Sequence, residues 1–324
     1  MIRILAPFEG IHDGGPNMKS VPGFLVASLG LSLSLGAGTP AWAEVIQPLP
    51  VSKVQIQVIY GEDNRKDLYQ ETDSAFLRLA DSTVALMERD KLHVQGATTA
   101  IDVTQYGAER GLCRDEPFFT QSTGAFCSGS LVAPNLVLTA GHCIREESCK
   151  DAAFVFGYAV HQQALPFVES VRSEDVYFCK EVVTRKEESE GPDYALVLLD
   201  RVVADHAPLP IRREGTPEVG EELVVIGHPS GLPTKISAGA TVRTLDAGGY
   251  LVANLDTYGG NSGSAVFNTQ TGLIEGVLVR GETDFRERES PGESCTESNR
   301  CENNGCRGED VTLISEVAAF IPVL

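Results

Sequence analysis

From residue 54 to residue 279 the chain is a succession of apolar runs, four to eleven residues long, divided by turns. VQIQVIY (54–60), STVALM (82–87), NLVLTA (135–140), AAFVFGY (152–158), DVYFCKEVV (175–183) and DYALVLL (193–199) come first. ELVVIG (222–227), KISAGATVRTL (235–245), YLVANL (250–255), SAVF (264–267) and GLIEGVLV (272–279) follow. These runs are rich in Val, Ile, Leu and aromatics, many alternate in polarity, and Gly, Pro, Asn and Asp separate them. The spacing predicts a mainly antiparallel all-β protein of barrel or sandwich type. Helical spacing is confined to AFLRLA (75–80) and SEVAAFI (315–321), and the latter predicts a short C-terminal helix. No repeat of fixed period interrupts the pattern.

Charge narrows the partners. The 324 residues carry 45 acidic and 26 basic side chains, a formal net charge of −19. Phosphate backbones and anionic lipid surfaces repel such a chain, so nucleic acid is not an expected partner. At the N-terminus, Lys19, the apolar FLVASLGLSLSL (24–35) and Ala41-Trp42-Ala43 form the pattern of an export signal, with the cut expected after Ala43. Residues 1–17 fit poorly before that signal, and Met18 is the expected start. The apolar segment is too short and too rich in Gly and Ser for a membrane span. The mature chain is therefore expected to be monomeric and either secreted or periplasmic.

All eight cysteines, Cys113 to Cys306, lie beyond the signal, and an even number in an exported chain reads as up to four disulfides. Cys295, Cys301 and Cys306 have no nearby histidine and no C-x-x-C spacing, so no metal site is expected from them. Three segments read as loops or insertions: 95–124, the charged RKEESEGP (185–192), and the acidic, Cys-rich 282–310. The last has too little apolar content to bury a core and depends on disulfides for order. The domain reading is an N-terminal or pro-segment over 44–80, a main domain over 81–281, and a Cys-rich segment with a helix over 282–324.

Chemistry enters with TAGHC (139–143), directly after NLVLTA. A lone histidine ending a strand is an ordinary core residue. Here Cys143 follows it and Cys127 precedes it by fifteen residues, so a disulfide between those two would close a tight loop and hold the His142 backbone. A general base needs that rigidity to keep within hydrogen-bond reach of a nucleophile. Asp193 opens DYALVLL; an acid beginning an apolar strand either faces water or accepts the other N–H of His142, which fixes the tautomer and stabilises the imidazolium. Ser262 lies in GGNSGSAVF (259–267), where Gly260 and Gly263 permit backbone conformations and close approaches closed to other residues. A serine hydroxyl requires an adjacent base. The N–H groups of Gly260 and Ser262 are the candidate oxyanion donors, worth ~3 kcal/mol each.

Chain order discriminates among hydrolase types. None of the six histidines (12, 93, 142, 161, 206, 228) follows Ser262, which excludes the serine–acid–histidine order of α/β-hydrolases. CSGSLVAPNLVLTAGHC (127–143), DYALVLL (193–199) and GGNSGSAVF (259–267) together resemble the trypsin/chymotrypsin-like serine proteases. GNSGS and the upstream IYGEDNR (59–65) are similar to the bacterial glutamyl-endopeptidase branch. The resemblance covers about residues 55 to 281. It implies two antiparallel six-stranded Greek-key barrels with His142, Asp193 and Ser262 in the cleft between them. It also implies a secreted serine endopeptidase of protein or peptide substrates that needs no cofactor.

Two departures leave questions open. In the animal trypsins an Asp before the nucleophile pairs with a newly cut N-terminus; Asn261 carries no charge and cannot make that pair. Asp256, six residues before Ser262, stands where trypsin-like pockets have a negative floor. In the glutamyl branch a histidine follows the nucleophile in the next strand, and here that place holds Leu278. Arg280 is a candidate for recognising acidic side chains, for neutralising Asp256, or for an ordinary surface role, and Thr257 and Tyr258 are candidate pocket residues. The alternative functional classes are a catalytically inactive protease-fold binding module and an esterase on the same three residues.

Overall fold

A computed structural model describes residues 58–290 and 293–323. The expected signal over 1–43, its cut site and residues 44–57 lie outside the described residues. The first barrel is built from β1 (Thr83–Glu88), β2 (Cys127–Ala133), β3 (Leu136–Thr139), β4 (Ala152–Val155), β5 (Val176–Glu187) and β6 (Asp193–Leu199). Its strands close in the order β1-β2-β3-β6-β5-β4, every pair antiparallel. The second is built from β7 (Glu222–Gly227), β8 (Lys235–Asp246), β9 (Tyr250–Ala253), β10 (Ala265–Asn268), β11 (Ile274–Arg280) and β12 (Glu309–Leu313). It closes as β7-β8-β9-β12-β11-β10, the same order as the first. Two closed six-stranded antiparallel barrels are the architecture the sequence resemblance implied.

Alternation explains the core. In the first barrel Val84, Leu86, Leu131, Val137, Phe154, Ala195 and Val197 point inward together. Leu223, Val225, Val242, Leu251, Val266, Leu278 and Val311 fill the second. The opposite faces meet between the barrels, where Val132, Leu138 and Leu196 pack with Val224, Ile226, Phe267 and Val277. Each such side chain contributes about 1.5–3 kcal/mol by leaving water. A strand buried on both faces reads as a continuous apolar run, which is why DYALVLL shows little alternation.

Three elements differ from the sequence expectations. The second barrel extends past residue 281, because β12 sits between β9 and β11 and closes the sheet. SEVAAFI forms two 3-10 turns, Ile314–Glu316 and Ala318–Phe320, where a short helix was expected. Residues 95–124 contain regular structure: Thr98–Ile101 joins Leu92–Gln95 and Ser170–Arg172 in a small sheet, and Tyr106–Glu109 makes one helical turn. AFLRLA does form a helix, Ser74–Asp81, whose first turn is capped by the Asp73 carboxylate accepting from Ala75 N at 2.7 Å.

The Cys-rich segment is a hairpin, Phe285–Ser290 paired with Glu293–Ser298. Four disulfides join Cys113 to Cys295, Cys127 to Cys143, Cys149 to Cys179 and Cys301 to Cys306. The N-terminal stretch also enters the fold. Arg65–Lys66 pairs with Ser237 and Ile236 on β8, and Ile59–Tyr60 runs parallel to Arg300–Cys301. No helix among the described residues is long and apolar enough to cross a membrane.

Candidate active site

His142 stands just past the end of β3, and Asp193 opens β6, which pairs with β3. The register alone brings them close. The Asp193 carboxylate accepts twice from His142: Oδ1 from the backbone N–H at 3.1 Å and Oδ2 from the ring Nδ1 at 2.6 Å. Gly141 makes this approach feasible, since a Cβ there would meet the Lys186 carbonyl, the Tyr194 carbonyl and Asp193 Oδ1. Asp193 is nearly buried while the His142 ring keeps 18% of its surface exposed, so one ring edge is anchored and the other faces the cleft. The start of β6 is tied to the other barrel as well: Thr312 Oγ1 on β12 accepts from Asp193 N at 3.0 Å and donates to Asp193 O at 3.1 Å.

Ser262 arrives from the second barrel on the turn before β10. Gly263 has φ of +89°, and a Cβ there would collide with the Ser128 carbonyl and with Thr139 Oγ1. Only glycine lets the serine turn lie against the strand that carries His142. Two contacts with Cys143 locate the serine and the histidine relative to each other. The Cys143 sulfur is 3.6 Å from the Ser262 carbonyl oxygen and 3.7 Å from His142 Nε2. The same sulfur belongs to the Cys127–Cys143 disulfide, so the cystine packs beneath both groups. Cys127, His142 and Cys143 have metal-like spacing, but the disulfide consumes both thiolates.

The turn itself is held by its carbonyls. Gly259 O accepts from Ser230 N at 2.6 Å, Gly260 O from Ser128 Oγ at 3.1 Å, and Ser262 O from Ser128 N at 2.9 Å. A trans peptide points its C=O and the following N–H in opposite directions. The Gly260 N–H is therefore directed away from Ser230. Gly260 has φ of +93°, and a Cβ on it would press on the 228–231 backbone. Asn261 is uncharged and buried; its Nδ2 donates to Thr257 Oγ1 at 2.5 Å and its Oδ1 accepts from Ser264 Oγ at 2.9 Å. His228, the other histidine near this turn, is fully buried, its pKa pushed down to about 3 by burial, and donates Nδ1–H to Leu232 O.

Asp256 and Arg280 do not pair. Asp256 Oδ1 accepts from Tyr60 N at 2.7 Å and Oδ2 from Asn64 N at 2.9 Å, and the residue is only 4% exposed. Burial raises its carboxyl to about 6, opposed by those two N–H groups. Arg280 Nε lies 3.2 Å from Asp310 Oδ2, while its other nitrogens donate to the carbonyls of Glu188 and Gly191. Arg280 thus pins the 188–192 loop beside Asp193; residues 185–187, expected in that loop, continue β5. Thr257 N donates to Val58 O at 3.4 Å.

Two acids that the sequence did not single out flank the same turn. Asp284 Oδ2 accepts from Gly259 N at 3.0 Å, and burial raises its carboxyl to about 7. Glu309 on β12 is fully buried, faces Gly281, and accepts from Tyr60 Oη at 3.2 Å. Burial raises its carboxyl well above the usual range, and the Asp284 charge adds to that. Both lie in the segment read as external to the main domain, and only their long-range partners mark them.

Residues 127–277 match the family model of the trypsin-like peptidase domain. No curated protein matches the chain. Among solved structures, a Glu endopeptidase in complex with MPD is 18% identical, with a TM-score of 0.45 over 81% of this chain and 98% of that one. A serine endoprotease from Yersinia pestis is 15% identical, with a TM-score of 0.45 over 77% of this chain and 66% of that one.

Proposed function

We propose that this chain, a trypsin/chymotrypsin-like protease by its peptidase domain, is an exported serine endopeptidase acting through Ser262, His142 and Asp193. Ser262 Oγ attacks the scissile carbonyl while His142 Nε2 takes its proton. The amine leaves with that proton, an acyl-enzyme forms on Ser262, and water attacks with His142 again as base. Asp193 keeps the proton of neutral His142 on Nδ1 and stabilises the imidazolium. The N–H groups of Gly260 and Ser262 receive the developing oxyanion. The chemistry needs no group beyond this chain's own residues.

The observation that carries the reading is the 2.6 Å contact of His142 Nδ1 with Asp193, on a strand against which the Ser262 turn can lie only because residue 263 is glycine. A histidine oriented by a buried carboxylate on Nδ1, with the Ser262 turn packed against the same cystine, is the arrangement a general base requires. Four disulfides support an oxidising compartment, in keeping with the expected signal and a secreted or periplasmic protein. Protein or peptide substrates follow from this reading. The test is incubation of the mature protein with a denatured protein mixture and reading of the new termini by mass spectrometry. Internal cuts made by the wild type and absent with Ser262→Ala support the function; identical cuts from both proteins refute it.

A further inference from the structure

The three residues that lead into the Gly259–Gly260 turn are each held by one short stretch at the N-terminal end of the described chain. Asp256 is gripped at both carboxylate oxygens by the N–H groups of Tyr60 and Asn64. Thr257 donates its N–H to Val58 O. Tyr258 lies under the Arg65 guanidinium, whose carbon is 4.1 Å from the ring centroid and whose Nη2 donates to Tyr258 Oη at 3.2 Å. Asp63 holds that guanidinium in turn, at 2.8 Å on Nε and 2.6 Å on Nη2. The stretch has its own anchors in the second barrel, through Arg65 to Ser237 on β8 and through Tyr60 Oη to Glu309 on β12.

From this grip the contacts run straight to the serine. Thr257 Oγ1 and Tyr258 O accept from Asn261, at its Nδ2 and its backbone N–H. Asn261 precedes Ser262 and has no charge with which to order the turn by an ion pair. We propose that residues 58–65 form a clamp that positions the Ser262 turn, and that Asp256 is the positioning residue at its centre, with no part in selecting the substrate side chain. Both Asp256 oxygens are already engaged by backbone N–H groups of this stretch. Their remaining lone pairs are shut off from an incoming guanidinium or ammonium by burial, since the residue is only 4% exposed. Its role is to hold residues 58–65 against the loop that leads into the Ser262 turn. Misplacement of reacting groups by about 1 Å costs roughly 100-fold in rate, so loosening this loop is felt at the serine.

The inference rests on the proposed protease reading, and the test separates the two. Asp256→Asn and, independently, Asn64→Pro are made in the full mature chain. The second removes the N–H that reaches Asp256 Oδ2, together with an exposed side chain, at a residue whose φ is outside the left-handed region, so it reads the clamp even if the first does not fold. Wild type and variants are assayed on peptides identical except for Arg, Lys, Glu or Leu before the cut bond. Ser262 labelling by a fluorophosphonate is timed in parallel, well below each melting temperature. The clamp predicts a kcat lower by about 10- to 100-fold on every peptide, an unchanged order of preference and KM, and labelling slowed to match. Selective loss of the Arg and Lys peptides would overturn it by making Asp256 a pocket floor. Unchanged kcat and labelling in both variants would overturn it too. A wild type that neither cleaves nor labels removes the protease reading and this inference with it.

Discussion

The two barrels share one strand order and differ in how they are completed. In the first, β6 follows β5 after a five-residue loop, and its ends are stapled by Cys127–Cys143 and Cys149–Cys179. In the second, β11 ends at Arg280 and β12 begins only at Glu309, with the Cys-rich hairpin in between and residues 58–66 added from the far end of the chain. The difference falls on the site. His142 and Asp193 are positioned by neighbouring strands of one sheet. The Ser262 turn depends on partners about 200 residues away in sequence, such as the 196 between Tyr60 and Asp256. The base and its acid are a local product of one barrel, and the nucleophile turn is a product of the whole chain.

That contrast can be broken from either side. The largest effect is expected in the first barrel. Asp193→Asn keeps the shape of the acid but loses the charge and the tautomer control, so kcat should fall about 10⁴-fold. Melting temperature should move little, since the strand pairing is retained; a fall in kcat of less than tenfold would detach Asp193 from the chemistry.

The second effect is on stability. Cys113–Cys295 closes a separation of 182 residues and ties the hairpin to the body, whereas Cys301–Cys306 spans 5. Removing the first pair by double alanine substitution should cost about 2–5 kcal/mol in urea titrations, and removing the second clearly less. Equal costs would mean that the hairpin is held by its other contacts, among them Cys113 N to Thr296 O and the Arg288–Asp115 ion pair.

A third effect is a pH slope that belongs to the second barrel. Asp256 and Asp284 have folded-state values of about 6 and about 7 against 3.8 in the open chain. Between pH 4 and 7 the native state therefore binds more protons than the unfolded state, and stability falls as pH rises. Each group contributes a slope of up to about 1.4 kcal/mol per pH unit. Arg65 opposes both shifts, Arg110 opposes that of Asp284, and Asp63 adds to that of Asp256. Asp63 is itself lowered below 3.8 by Arg65 against its burial, and acts in the opposite sense only below pH 4. Melting temperatures should rise on going from pH 7 to pH 5, and Asp284→Asn should flatten that rise. A rise left intact by Asp284→Asn would assign the slope elsewhere.

The smallest effect lies on the seam. Thr312→Val keeps the shape but removes the hydroxyl that both accepts from and donates to Asp193. A loss of about 1–3 kcal/mol is expected by thermal or chemical denaturation. No loss would mean that the barrels are joined by apolar packing alone.

The same contrast explains what the sequence made legible. DYALVLL and ELVVIG became β6 and β7 with their bounds as expected, because apolar residues bounded by turn residues report burial directly. The His142–Asp193 pairing followed from two local signals, TAGHC after a strand and an acid opening another. Strand β12 was not legible. Its EDVTL carries two acids that are both buried, Glu309 accepting from Tyr60 and Asp310 from Arg280 and Arg307. A pattern of polarity cannot show an arginine that comes from another strand. Asp256 was open for the same reason: its spacing from Ser262 suggested a pocket floor, while its partners are backbone N–H groups with no side-chain signature. The pairing of Cys113 with Cys295 was equally out of reach, since loop closure over 182 residues leaves no local trace.

The central claim is that Ser262 is a nucleophile activated by His142. It is tested most directly by treating the mature wild-type protein, Ser262→Ala and His142→Ala with a fluorophosphonate and locating the adduct by mass spectrometry. One adduct on Ser262 of the wild type is predicted, absent from Ser262→Ala and formed at least 10³-fold more slowly in His142→Ala, about the smaller end of what a triad member contributes. A folded wild type that remains unlabelled at Ser262, or a His142→Ala protein labelled at the wild-type rate, would contradict the account.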